Sequence, residues 1–372
     1  MVSTNINALG IIFPNLYDEL LPEMVTERTM ASVPFAGRYR MIDFVLSSMV
    51  NSGIDNVSVI VKKNYHSLMD HLGSGREWDL TRKHGGLNIV PPFAEANVAV
   101  YHGRIEALAS IVDFLKDQRE KYVVLSDANL AVNVDFSDLI AKHVASGADV
   151  TMMYQRAPMP ECIRDCNNTL MIEDGRVVEL LTNDDRPGVQ NISMNIYVME
   201  RESLIKYVKE ANSRGMSSFE RDILARNLTV LNVQAVPYTG YIARIGDRKS
   251  YFDESMRLLN TDNVAALFNR PVYTKIRDDA PTRYAMDCHI RNCMVADGCI
   301  IEGEVENSII FRGVKIKKGA KVKNCVLMQD TVVEAGADVE YVVTDKNVKV
   351  TADKKLSGTE TFPVYVAKGH TV

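Results

Sequence analysis

The chain has 372 residues, 46% of them hydrophobic and 24% charged, with a net charge of −5 and a pI near 5.9. That composition belongs to a folded globular protein, and the length has room for two domains. An acidic chain lacks the clustered basic excess that neutralises a nucleic-acid backbone, and no run of about 18 apolar residues is present to cross a membrane, so neither partner is expected.

Residues 1–5 carry neither the basic start nor the long apolar run of a leader, and six cysteines in so long a chain do not suggest a disulfide framework; together these point to a cytoplasmic protein. Residues 8–13 form a short apolar run of strand length. Met41, Phe44, Val45 and Met49 then fall at helical spacing, with Gly53 placed just past a helix end. Residues 57–61 read as the next strand. Ile105, Leu108, Ile111, Val112 and Leu115 mark one amphipathic helix. A strand at 122–125 runs into Ser126-Asp127, a helix follows around 139–144, and 149–154 is a further strand. This alternation predicts an α/β domain over 1–262 with a mostly parallel sheet covered on both faces, and ligands bound beyond the carboxyl ends of its strands. Cys162 and Cys166 are spaced C-x-x-x-C with no second pair at zinc-finger spacing, and read as free thiols.

Past residue 285 the pattern changes. Ile310, Ile316, Val322 and Met328 lie six apart; after a one-residue slip Leu327, Val333 and Val339 do the same, and Gly313 and Gly319 share the period. A six-residue repeat rich in Val, Ile and Gly predicts a parallel β-helix over 285–372, joined by a linker at 263–284 that contains Pro271 and Pro281. Its open ends must be capped or paired, which points to an oligomer.

The run Val33-Pro34-Phe35-Ala36-Gly37-Arg38-Tyr39-Arg40-Met41-Ile42-Asp43-Phe44 resembles the V-x-F-G-G-K-Y-R-x-I-D-F segment of ADP-glucose pyrophosphorylases, and Asn51-Ser52-Gly53-Ile54 continues it. His71-Leu72-Gly73-Ser74-Gly75, followed by Trp78-Asp79-Leu80, is similar to the regulatory-type subunit found beside a catalytic one in some Gram-positive bacteria. The resemblance spans essentially the whole chain. It implies a Rossmann-like nucleotidyltransferase domain followed by a left-handed parallel β-helix that contributes to assembly. The family reaction joins ATP and glucose 1-phosphate into ADP-glucose and pyrophosphate, the precursor step for glycogen.

That chemistry needs glycines whose backbone N–H groups wrap a triphosphate, cations for phosphate, carboxylates for Mg²⁺ and a lysine for the sugar phosphate. Carried over residue by residue, the family's G-G-x-G-x-R-L loop falls on Asn15-Leu16-Tyr17-Asp18-Glu19-Leu20-Leu21, which keeps only the last leucine. A carboxylate such as Asp18 about 4 Å from a phosphate costs on the order of 4 kcal/mol at an effective dielectric near 20. The family's next lysine falls on Met30. Its G-T-A-D-A segment reads Gly103-Arg104-Ile105-Glu106-Ala107. The first metal carboxylate falls on Asn129, or on Asp127 with a two-residue shift. The second falls on Arg244, within Gly240-Tyr241-Ile242-Ala243-Arg244, and the sugar-phosphate lysine falls on Asn183. The S-M-G-I-Y segment is largely kept as Ser193-Met194-Asn195-Ile196-Tyr197.

The resemblance therefore implies a non-catalytic regulatory subunit, without a cofactor of its own, in a heterotetramer with a catalytic paralogue that would hold the Mg²⁺. Arg28 and Arg40 fall at positions similar to the family's effector site and suit a sugar phosphate or nucleotide effector. His66, Lys62 and Lys63 are near in sequence, and the family's main effector lysine falls on Glu27. Two alternatives stand beside this reading: an active nucleotidyltransferase with an atypical site, and a hexapeptide acyltransferase using His289 as base.

Overall fold

The computed structural model describes residues 6–91, 101 and 103–372; residues 1–5, read above for the absence of a leader, lie outside them. Eleven strands organise the first domain: β1 (Ala8–Phe13), β2 (Asn56–Ile60), β3 (Gly86–Val90), β4 (Tyr122–Asp127), β5 (Leu130–Val132), β6 (Val150–Pro158), β7 (Asn168–Glu173), β8 (Arg176–Thr182), β9 (Val189–Glu200), β10 (Val233–Pro237) and β11 (Ile242–Arg244). Nine of them form one sheet in the order β3-β2-β1-β4-β9-β6-β10-β8-β7, and β5 pairs with β11 beside it. The β3-β2-β1-β4 half is parallel as expected, but β9 runs antiparallel to both β4 and β6, and β7-β8 is an antiparallel hairpin, so the sheet is mixed.

Side chains alternate across the sheet. On β1, Leu9, Ile11 and Phe13 enter one core while Ala8 and Ile12 enter the other. The helices that cover these faces are α1 (Met41–Asn51), α2 (His66–Leu72), α3 (Arg104–Ala109), α4 (Val112–Asp117), α5 (Phe136–Ser146), α6 (Arg201–Ser213), α7 (Arg248–Arg257) and α8 (Thr261–Leu267). Gly53 ends α1 with a φ of 82°, the left-handed residue its position called for. The helix expected through residues 105–115 is two short ones, α3 and α4. At the break the Ser110 hydroxyl donates to the Ala107 carbonyl at 2.7 Å, which competes with the helical ladder.

After α8, an irregular segment leads to coil strands that begin at Arg283–Tyr284 and are wholly parallel. The linker expected from residue 263 therefore starts inside α8. Three successive coils take 17 residues, with Val305, Val322, Val339 and Leu356 stacked in one column, and the coil before them takes 15, from Ile290 to Val305. The interior series Ile310, Ile316, Val322, Leu327, Val333, Val339 steps by six, six and five, which is the origin of the slip in the sequence. Met328, counted above in the six-residue series, leaves the interior. It is buried with Ile309, Phe311, Val326 and Val343 against Phe35, Phe44, Tyr251 and Phe252 of the first domain. The short side of each coil is thus the side that docks, and the β-helix and first domain share one apolar core.

Candidate functional site

Two places concentrate polar chemistry. The first lies at the carboxyl ends of β1 and β4, where Phe13 and Asp127 sit side by side in register. The expected phosphate loop follows β1, but its side chains close on each other. Asn15 donates to Asp18 at 2.6 Å and to the Lys63 carbonyl at 3.1 Å, and its Oδ1 accepts from the Lys62 amide at 2.9 Å. The other Asp18 oxygen accepts from the Met30 backbone N–H at 2.8 Å. Burial pushes the Asp18 carboxyl up from its ordinary range. The turn that should offer N–H groups to an anion is filled by a carboxylate of the chain itself. Leu16 and Leu20 are half-buried beside it, and Met30 is part of the core shared with the β-helix.

Deeper in, Arg104 is packed between the sheet and the segment at Phe219–Leu224. It is 5% exposed and sits at the first turn of α3, on the position where the resemblance implies a threonine. Its guanidinium donates to Asp127 Oδ1 at 2.6 Å and pairs with Glu220. It also lies over the Phe13 and Tyr197 rings at 5.0 and 5.5 Å, cation–π geometry in a dry site. The second Asp127 oxygen accepts from the Tyr17 hydroxyl at 3.0 Å. Asn195, on a bulge of β9 with φ 53°, donates to Tyr17; its carbonyl accepts from Tyr197, whose hydroxyl lies 2.9 Å from Glu220. A glycine would serve the bulge equally well; asparagine keeps the left-handed backbone and adds an amide that fills space.

The expected metal positions lie beside this network. Asp127 projects into it, with both oxygens engaged. Asn129 is 2% exposed and its Nδ2 finds no partner. Arg244, on β11, is 6% exposed with Nε and Nη2 unpartnered, and burial pulls its pKa down, partly offset by Tyr17, Cys162, Cys166 and Asp127 nearby. A divalent cation does not fit these residues: one carboxylate is bound by Arg104 and Tyr17, one position is a neutral amide and one is a cation. Asn183 is exposed at φ 55°, with its backbone N–H donating to the Asn167 carbonyl at 2.8 Å. The neighbouring Asp184 is held down to about 2 by Arg186, with burial opposing. Cys162 and Cys166 stand beside Arg244 as free thiols, and among the described residues no group of three or more His, Cys, Asp or Glu side chains has metal-holding geometry.

The second place is a cleft of about 250 Å³ between the first domain and the β-helix. Arg38, Arg40, Lys275, Arg277, Arg312 and Lys346 line it, with Asp70 and His71. Arg40 is fixed from both sides: its guanidinium donates to the Ser67 carbonyl at 2.7 Å, and its backbone N–H donates to Asp43, whose other oxygen lies 2.6 Å from His71 Nε2. His71 in turn packs edge-on against Trp78, which gives the 71–80 segment its role as a brace under the cleft. Burial lowers Arg40 to about 10 and Lys346 to about 7, the latter also through Arg40 and Arg28. Arg312 is 8% exposed with Nε and Nη2 unpartnered. Buried donors without acceptors on a cationic wall are arranged for an anion.

Of the two arginines singled out in sequence, Arg40 lines this cleft and Arg28 does not. Arg28 is buried in an ion pair with Asp345, which also accepts from the Tyr365 hydroxyl at 2.7 Å, so it ties the two domains together. Glu27 pairs with Lys368 across the same seam. Lys62 and Lys63 belong to the filled loop, and His66 is exposed on α2. His289 is exposed at the edge of an open, charged hollow on the coils, in register with Glu304. Sequence reasoning missed Arg104's direction, Tyr17, Glu220 and the four cations from the linker and β-helix. The altered G-T-A-D-A segment flagged Arg104, but nothing flagged Glu220.

The comparisons with known proteins agree with this architecture. A nucleotidyl transferase family model matches residues 24–261, and a model described as GlmU-like, C-terminal hexapeptide matches 277–360. The chain is 32% identical over 367 residues to the glycogen biosynthesis protein GlgD of Bacillus subtilis (strain 168), an alignment that covers 98% of this chain and 97% of that protein. Identity to GlgD of Geobacillus stearothermophilus is 37% over 325 residues, covering 86% and 83%. Identity to the glucose-1-phosphate adenylyltransferase of the same organism is 32% over 310 residues, covering 82% and 80%. Among the described residues no helix is long and apolar enough to cross a membrane.

Proposed function

We propose that this chain, which belongs to the nucleotidyl transferase family of the GlgD proteins and glucose-1-phosphate adenylyltransferases, serves glycogen biosynthesis as a non-catalytic subunit that raises the activity of a catalytic paralogue. The observation that carries this is Arg104. A guanidinium buried between Asp127 and Glu220 stands where substrate would have to enter, and removing it leaves two buried carboxylates without a partner. With Asp18 filling the phosphate turn and Arg244 facing the metal position, each requirement of nucleotidyl transfer meets a side chain of the wrong charge or shape.

The retained surfaces support a role in assembly and regulation. The basic cleft would take a sugar phosphate or nucleotide effector through Arg40, Arg312 and Lys346. Its position between the domains would let a bound anion bias how the β-helix sits on the first domain. The partner would be a catalytic glucose-1-phosphate adenylyltransferase subunit, in a heterotetramer, with Mg²⁺ held in that subunit alone.

The test is co-expression with a catalytic subunit. Purified alone, this chain should make no ADP-glucose from ATP, glucose 1-phosphate and Mg²⁺. The co-purified assembly should exceed the catalytic subunit alone in kcat/KM by about 5–150-fold, the usual range of allosteric coupling. Turnover by the isolated chain, or a catalytic subunit indifferent to it, would overturn the proposal.

A further inference from the structure

One column of the β-helix departs from its own pattern. The residue after each rung of one face forms a left-handed corner: Asn292, Asn307 and Asn324 have φ of 50°, 45° and 51°, and the next residue in the column is Tyr341 at φ 51°. Asparagine tolerates that backbone through its short side chain; a tyrosine there is an outlier, and strained residues gather where a ligand is clamped. The column does not need an aromatic for its backbone, since the following corner is Gly358, whose missing Cβ leaves room for the Tyr341 carbonyl.

Tyr341 and the three asparagines form one wall of a groove of about 610 Å³, whose other wall is the outer side of α7 and the turn after it. The Tyr341 ring is half-buried and leans on Phe252, 6.2 Å between centroids, so it is a fixed platform. The polar atoms around it are largely unspent. Asn292 donates to Asn307 at 2.8 Å, but the Asn324 amide, the Asn307 Nδ2, the Tyr341 hydroxyl and the Glu360 carboxylate make no hydrogen bond or ion pair to other described residues. Arg257, held by Glu254, lines the opposite wall. Stacked coils repeat at about 4.8 Å, which sets the amides in a ladder.

A rigid aromatic face beside planar amides, a carboxylate and a guanidinium, with Phe252, Met256 and Leu259 as further apolar patches, matches a chain of polyhydroxylated rings, each of which has apolar and hydroxyl-bearing surfaces. The apolar face of a sugar lies on the aromatic, and neighbouring hydroxyls each donate to and accept from one amide or carboxylate. A phosphate is disfavoured here by the Glu360 carboxylate, whereas Asp253 is paired with Lys249. We propose that this groove binds a linear glucose oligomer, and so holds the subunit on the glucan whose precursor the assembly makes. The choice of glucose as the sugar rests on the glycogen-biosynthesis reading; the groove and its chemistry do not.

Native electrophoresis of the full-length chain in gels with and without glycogen tests this, with maltoheptaose as soluble competitor. Glycogen should retard the wild type and maltoheptaose should restore its mobility. Tyr341→Asn, which returns the column to a residue suited to its backbone, and Asn324→Ala should each weaken retardation about ten-fold while circular dichroism stays native. Equal mobility with and without glycogen, or equal retardation of the wild type and both folded variants, overturns the proposal. The same variants assayed for activation of the catalytic partner separate the two readings, because glucan binding can fail while activation persists.

Discussion

Replacing Arg104 by threonine probes the filled site most directly. The substitution removes a guanidinium that is 5% exposed and leaves Asp127 and Glu220, both about nine-tenths buried or more, without their cation. Breaking a buried pair by deleting one partner costs about 3–5 kcal/mol, because the remaining charge keeps its desolvation penalty. Tyr17 still donates to Asp127, and Tyr197 lies within hydrogen-bond reach of Glu220, which places the expected loss towards the lower end. For 372 residues unfolding as one cooperative unit, such a loss lowers the melting temperature by roughly 4–6 °C. A neutral triple variant, Arg104→Met with Asp127→Asn and Glu220→Gln, removes the charges together and should recover most of it, since a buried ion cluster replaced as a whole is often close to neutral. Scanning calorimetry or thermal unfolding followed by circular dichroism reads both. If Arg104→Thr melts within about 1 °C of the wild type, Arg104 does not neutralise the two carboxylates and is not what fills the site. If the triple variant is as unstable as the single one, the guanidinium acts by packing and its charge is irrelevant.

Binding of a phosphorylated effector in the basic cleft should depend on pH through Lys346, whose ammonium is brought down to about 7 by burial and by the neighbouring Arg40 and Arg28, with Asp345 opposing and Lys368 adding to the fall. An anion favours the protonated form, so binding takes up a proton: affinity should fall above about pH 7 by up to ten-fold per pH unit until the pKa of the bound state is reached. Lys346→Met should bind more weakly at pH 6.5 and show a flat profile by isothermal titration calorimetry; an unchanged slope would exclude Lys346 as the titrating group. The sign for stability is opposite: a lysine lowered in the folded state penalises folding fully below about 7, and the penalty fades as pH rises towards the ordinary 10.5. Arg28→Ala breaks a buried pair with Asp345 at the domain seam and should cost about 3 kcal/mol, since Tyr365 still donates to Asp345. Limited proteolysis should then cut the connection after α8 faster; an unaltered cleavage rate and melting temperature would show that Arg28 does not hold the domains together.

Local periodicity carried much of this protein in plain view. The strand at Ala8–Phe13, the helix closed by Gly53 and the 17-residue coil with its slip all follow from side-chain direction, which spacing along the chain sets directly. The residue identities after β1 and β4 and on β11, which the resemblance sets against the family's phosphate and metal positions, need no geometry to be read. The antiparallel entry of β9 into the sheet, the split of one expected helix at Ser110, and the escape of Met328 from the coil interior depended on neighbours that local pattern does not specify.

The functional sites divide along the same line. An arginine at position 104 can snorkel to solvent or turn inward; only the approach of Asp127 and Glu220, brought over it by β4 and by the turn at Phe219–Leu224, makes the inward direction favourable. Arg28 and Arg40 look alike in sequence, yet Asp345 on the β-helix takes one into the domain seam and leaves the other lining the cleft. Arg312 and Lys346 join Arg40 only because the coils stack against the first domain, so the charge of the cleft is a property of the packing. Sequence fixes what each side chain is and which way its own element turns it. Which distant charges share one low-dielectric space, and so whether an arginine becomes a buried counter-ion, a tie between domains or part of a basic cleft wall, is decided by tertiary structure, because electrostatic energies there depend on burial and separation across the fold.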